Sequence, residues 1–175
     1  MDFGLDQLNA LGAEEAEIEF LKCCGSKAWA TRMSAARPFV NGAELFVKAD
    51  HIWWSLAGAD WLEAFRSHPK IGEKKATQPT SAQARSWSEQ EQSGTCDTAP
   101  DTAQSLANGN QEYEAKFGFI FIVCATGKSV DEILVLLVER LKSDSDSELR
   151  VAAEEQRKIT QLRLAKLLQS FRQAD

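Results

Sequence analysis

The sequence predicts an all-α protein: a compact single-domain bundle of about eight helices over residues 1–175. Apolar residues recur at helical spacing through most of the chain, and strand-like alternation is nearly absent. Residues that cap helices stand ahead of these apolar stretches. A chain of 175 residues, 43% of them hydrophobic, suits one domain with one sizeable core.

The first predicted helix covers residues 13–24, with Ala16, Phe20, Cys23 and Cys24 at helical spacing and Gly25 placed to stop it. Ser26 caps a second, which holds Trp29 and Met33 and ends before Arg37-Pro38-Phe39. Asn41 caps a third, in which Leu45, Ala49, Ile52, Trp53 and Leu56 make one apolar face. Trp61, Leu62 and Phe65 form a short fourth helix that delivers His68. Residues 69–79 are a loop with a proline at each end. Thr80 with Gln83 reads as a capping box opening a fifth helix, which carries Trp87, Ser88, Glu91 and Gln92 and stops at Ser93-Gly94. Residues 93–103 are small and polar, and a sixth helix follows from Pro100 to Lys116. Periodicity leaves the apolar run Phe117–Ala125 open between extended and helical, but predicts its burial. If irregular, its backbone groups need partners, some of which a ligand can supply. Ser129 with Glu132 opens a helix through Lys142, and Ser145 with Glu148 opens a long last one to about Ser170.

Composition excludes several classes. A net charge of −6 argues against a nucleic-acid partner. The longest apolar run is too short to cross a bilayer, so no membrane partner is expected. Six acidic residues among the first twenty predict that no secretory leader is present. Cys23, Cys24, Cys96 and Cys124 lack metal-ligand spacing, which predicts reduced thiols, an intracellular location and no metal site.

Several polar side chains resist a purely structural role. His68 precedes Pro69, which pushes it out of the α region, so it ends a helix and projects from a fixed turn. Histidine is the side chain best suited to move a proton near neutral pH. The other histidine, His51, is assigned to packing near Trp53 and Trp54. On the final helix Leu149, Ala152, Leu162 and Leu167 cluster on one face, and Arg163 falls near its middle. A guanidinium there needs a buried carboxylate, solvent reached by snorkelling, or an anionic ligand. Gln156 lies on the same face. Ser88, Glu91 and Gln92 share one face of the fifth helix, either as a solvated surface or as an orienting set, with Glu89 turned toward solvent. Lys70, Lys74 and Lys75 either steer an anion or carry solvated charge. Cys23-Cys24 is either a redox pair or two packed thiols.

Five pieces of the chain, in order and covering roughly residues 10–170, resemble the 2-oxo-4-hydroxy-4-carboxy-5-ureidoimidazoline (OHCU) decarboxylase family. They are Arg37-Pro38-Phe39, His68-Pro69, Glu91-Gln92-Ser93-Gly94, Phe117-Gly118-Phe119 with Phe121–Ala125, and Lys158-Ile159 with Leu162-Arg163-Leu164. The resemblance implies an all-helical, cofactor-free carboxy-lyase of urate catabolism that makes (S)-allantoin. It implies a small-molecule ureidoimidazoline substrate, a homodimer, and a peroxisomal or cytoplasmic location. In some organisms such a domain is fused to a transthyretin-like 5-hydroxyisourate hydrolase.

Residue by residue, the family's catalytic histidine falls on His68, with Glu91 and Arg163 beside it as catalytic residues. Its substrate contacts fall on Pro69, on Ser88, Glu89, Gln90 and Gln92, and on Phe121, Ile122, Val123, Cys124 and Ala125. One departure is Ile120, where the family often has proline. Chemically, His68 would take or hold the substrate hydroxyl proton while Glu91 and Arg163 fix the ureido and ring groups. The alternative is a non-catalytic helical module that binds a purine-degradation metabolite.

Overall fold

Cap chemistry starts the helices much as the sequence predicts. Ser26 accepts from the Trp29 backbone N–H at 3.3 Å, and Asn41 accepts from that of Glu44 at 2.9 Å. Ser129 and Glu132 close a reciprocal capping box. In a computed structural model that describes residues 3–73, 76, 78–95 and 98–173, these caps open three of nine α-helices. The described residues contain no strand, only an isolated bridge between Pro69 and Ala76. The all-α class is therefore correct. No helix among them is long and apolar enough to cross a membrane.

The chain divides into two units, Met1–Ala64 with Arg157–Asp175, and Phe65–Gln156. The first holds α1 (Phe3–Ala10), α2 (Ala13–Cys23), α3 (Lys27–Ala35), α4 (Gly42–Trp54), most of α5 (Gly58–Arg66) and the C-terminal part of α9 (Ser145–Gln173). Its core contains Phe20, Trp29, Met33, Leu45 and Trp53, all buried. Each such side chain contributes about 1.5–3 kcal/mol by leaving water. The Trp29 indole N–H is satisfied by the Ala49 carbonyl at 3.1 Å. Arg37 closes the α1–α2 junction, donating to the carbonyls of Leu8 at 2.9 Å and Leu11 at 2.7 Å.

The second unit holds the end of α5, α6 (Ala82–Glu91), a 3-10 turn (Ser93–Thr95), α7 (Pro100–Phe117), α8 (Val130–Arg140) and the start of α9. Leu106, Tyr113, Phe121, Val123, Ile133 and Leu137 form its core.

Several expectations need correction. A short helix, α1, precedes the first one predicted. The α6 cap is Ser81, not Thr80, because the Ser81 hydroxyl accepts from the Ala84 N–H at 3.1 Å. At α9 the cap is Asp144, which accepts from the Ser147 N–H at 2.9 Å; Glu148 is not a capping-box residue. His51 is exposed in the last turn of α4 rather than packed, and Leu162 is 38% exposed rather than on the buried face of α9. The run after Phe117 is irregular: Gly118 ends α7 in the left-handed region, and residues 119–125 continue without helix or strand pairing.

Candidate active site

His68 stands two residues past the end of α5, where its backbone N–H still donates to the Phe65 carbonyl at 3.1 Å. Its side chain is buried, as are those of Ser88 and Glu91 on α6. After Pro69 the chain turns back on itself: Glu73 donates to the Lys70 carbonyl at 2.9 Å, and Gly72 takes a φ of 86°. That angle belongs to glycine, so the Gly72 of His68-Pro69-Lys70-Ile71-Gly72 is set by the turn. Ile71 is buried in the core beside Phe121, Val123 and Ala125. Asn110 on α7 donates to its carbonyl at 3.0 Å. The loop that carries His68 is therefore anchored on both sides of the turn.

The C-terminal end of α6 is tied to the same loop. The Gln92 side-chain carbonyl accepts from the Gly72 N–H at 3.1 Å. Two residues on, a Cβ at Gly94 would lie 2.4 Å from the Lys128 carbonyl, so only glycine lets the chain pass there. Glu91-Gln92-Ser93-Gly94 thus joins the His68 loop to the turn that follows residue 125. Glu89 and Gln90 lie on the exposed side of α6, apart from Ser88 and Glu91.

The third part is residues 120–125, a strap whose side chains are all buried. Phe121, Val123 and Ala125 enter the core, while Ile122 and Cys124 give their backbone groups to polar side chains. Arg140 donates to the Ile122 carbonyl at 2.6 Å. Glu155 accepts from the Cys124 N–H at 2.8 Å, and Lys128 donates to the Cys124 carbonyl at 2.8 Å. Burial pushes the Cys124 thiol up; Lys128 opposes this, while the charges of Glu155 and, least, Glu91 reinforce it.

Arg140 is itself held by a buried network. Its Nε donates to Glu148 at 2.7 Å, and its Nη2 donates to the Tyr113 hydroxyl at 3.2 Å. The Tyr113 hydroxyl also donates to Glu148, and the guanidinium lies 4.6 Å from the Phe121 ring centroid. Burial, reinforced by Glu148, pushes the Tyr113 hydroxyl well up, against the pull of Arg140. Sequence reasoning missed this network and Glu155. The signal was the spacing of Arg140 with Ile133 and Leu137, which places a cation on the buried face of α8.

Arg163 belongs to the first unit, and at 2% exposure it does not snorkel. It donates to the Lys22 carbonyl at 3.4 Å, in the last turn of α2, where helix carbonyls favour a cation. Burial raises the thiol pKa of Cys23 and pushes Cys24 up to about 12, while Arg163 pulls both down. Both thiols are free and buried, which matches packing. Gln156 is also fully buried. Lys70 is paired with Glu114 at 2.6 Å and so is not free to steer an anion, whereas Lys74, Lys75 and Cys96 lie outside the described residues. Among the described residues no three His, Cys, Asp or Glu side chains gather as a metal-binding group.

A family model described as OHCU decarboxylase matches residues 9–165. A uric acid degradation bifunctional protein from Arabidopsis thaliana is 39% identical over 90% of this chain, which spans 48% of that protein's length. The 2-oxo-4-hydroxy-4-carboxy-5-ureidoimidazoline decarboxylase of Amia calva is 32% identical, with 93% of each chain covered. A crystal structure of an OHCU decarboxylase in the presence of (S)-allantoin superposes with a TM-score of 0.74 and 38% identity, over 87% of this chain and 98% of that one.

Proposed function

The chain belongs to the OHCU decarboxylase family, and from that premise we propose that it removes carbon dioxide from 2-oxo-4-hydroxy-4-carboxy-5-ureidoimidazoline to give (S)-allantoin. Family membership makes it a decarboxylase, a carboxy-lyase acting in urate degradation. The observation that carries the fuller reading is the placement of His68. A buried imidazole projects from a turn fixed by Gly72, Ile71 and Gln92, beside a helix that buries Ser88 and Glu91.

The chemistry suits such a site. Carbon dioxide leaves the carbon that also bears a hydroxyl. The electron pair of the broken bond forms a double bond to the ureido-bearing carbon, and the pair of the adjacent ring carbon–nitrogen double bond moves onto its nitrogen, which takes a proton from solvent. His68 takes the hydroxyl proton of the resulting enol, and the carbonyl forms as the carbon–carbon pair captures a proton at the carbon bearing the ureido group. Delivery of that proton from one face makes the centre chiral. Glu91 and Arg163 hold the ureido and ring groups so that only one face is open. Pro69, Ser88, Gln92 and Phe121–Ala125 complete the contacts, whereas Glu89 and Gln90, on the exposed side of α6, are left out of them. Orientation of this kind contributes several kcal/mol to the barrier, and donors preset toward the developing charge contribute about as much.

The relatives from Arabidopsis thaliana and Bacillus subtilis are bifunctional uric acid degradation proteins. We place this chain in the same route, acting on the product of a transthyretin-like 5-hydroxyisourate hydrolase, as a homodimer in the peroxisome or cytoplasm. The test is turnover of freshly generated substrate, followed by circular dichroism. Purified protein should yield optically active allantoin faster than the uncatalysed background, and a racemic product at the background rate would refute the assignment.

A further inference from the structure

Residues 121–125 alternate with a period of two. Phe121, Val123 and Ala125 enter the core, and between them the Ile122 carbonyl and the N–H and carbonyl of Cys124 are taken by side chains. A period of two marks extended backbone, in which successive residues offer their N–H and C=O to opposite edges. One edge of the strap is thus gripped at three groups by Arg140, Glu155 and Lys128, which come from α8, α9 and the turn between the strap and α8. Strand pairing would normally do this work, but no strand lies beside the strap among the described residues.

We infer that Glu155, together with Arg140 locked by Glu148 and Tyr113, is a positioning residue. These side chains grip one edge of the strap so that the backbone groups of Phe121 and Val123 on the other edge stay fixed to read a planar ligand group carrying both N–H and C=O. The inference rests on the decarboxylase reading above, and a ureido group is the ligand chemistry it selects. The Ile122 carbonyl and both backbone groups of Cys124 are held by side chains, so the strap depends on each of them. Losing the Glu155 carboxylate frees the Cys124 N–H and lets the strap shift sideways.

Two features make Glu155 the residue to test. It is half-buried rather than part of the core, and the Arg140–Glu148 pair stays in place when it is replaced. Glutamine can still accept from the Cys124 N–H, whereas alanine cannot.

Steady-state kinetics on Glu155→Ala, Glu155→Gln and the unaltered protein decide the matter, with thermal melting as the control for folding. The strap holds substrate equally before and during reaction, so Glu155→Ala should raise KM about tenfold with kcat within about threefold of the parent. Glu155→Gln should restore KM to near the parent value, and both variants should melt within a few degrees of it. A Glu155→Ala variant with parental KM, or a Glu155→Gln variant as impaired as Glu155→Ala, would overturn the inference while leaving the decarboxylase reading intact. Absence of turnover in the unaltered protein would instead overturn that reading.

Discussion

The Gln92 side chain accepts a hydrogen bond from the Gly72 backbone N–H at 3.1 Å, which fixes the end of α6 against the turn that follows His68. Gly72 is largely exposed, so water can replace the lost partner if Gln92 is shortened. Gln92→Ala should therefore cost no more than about 1 kcal/mol of stability. Its effect on kcat/KM should be larger, about tenfold, because the α6 side chains and His68 lose their common anchor. Gln92→Glu keeps an acceptor and should retain most of the activity. Denaturant melts and initial rates on the two variants separate these effects.

Glu91 is 8% exposed at the last position of α6. Glu91→Gln preserves its shape and removes its charge. If the carboxylate orients the substrate's donors, kcat/KM should fall by about a hundredfold while the helical circular dichroism is unchanged. Parental kinetics in Glu91→Gln would leave the charge without a role.

Glu148 is fully buried and accepts from Arg140 and Tyr113. Removing it strands a guanidinium that is 10% exposed. Glu148→Ala should destabilise the protein by about 3–5 kcal/mol, whereas Arg140→Met with Glu148→Leu should cost less because neither charge is left alone. Urea unfolding of the single and double variants measures the difference.

Burial raises the thiol pKa of Cys24 from an ordinary 9.0 to about 12, and Cys23 and Cys124 shift the same way. A raised folded-state value means that the native chain keeps a proton that the unfolded chain releases. The stability from Cys24 is therefore fully present below pH 9 and is lost as the pH rises toward 12. Each such thiol adds a slope of about −1.4 kcal/mol per pH unit in its window. Urea midpoints should be flat from pH 7 to 8 and fall above pH 9, less steeply in Cys24→Ala. Below pH 8 the native thiols of Cys23 and Cys24 should resist alkylation with activity intact.

Local signals made much of the fold legible. Ser26, Asn41 and Ser129 could be read as caps because the group they satisfy lies three residues away. Two caps shifted by one residue, to Ser81 from Thr80 and to Asp144 from Ser145, because adjacent capping side chains compete at a helix start and only geometry chooses between them. His51 looked packed because it adjoins Trp53, yet helical rotation turns it outward. The candidate site was legible where one loop or one helix face carries it, as in His68-Pro69 or Ser88 with Glu91. Glu148 was not. Its partners are 8 and 35 residues away, and the local pattern disguised it as a capping-box acid.

The central claim is that His68 drives a one-faced decarboxylation. The direct measurement is the circular dichroism of allantoin formed from freshly generated substrate by the parent protein and by His68→Ala. The parent should give a growing signal of (S)-allantoin, and His68→Ala should give a racemic product at the spontaneous rate. Optically active allantoin formed by His68→Ala at the parental rate would contradict the account.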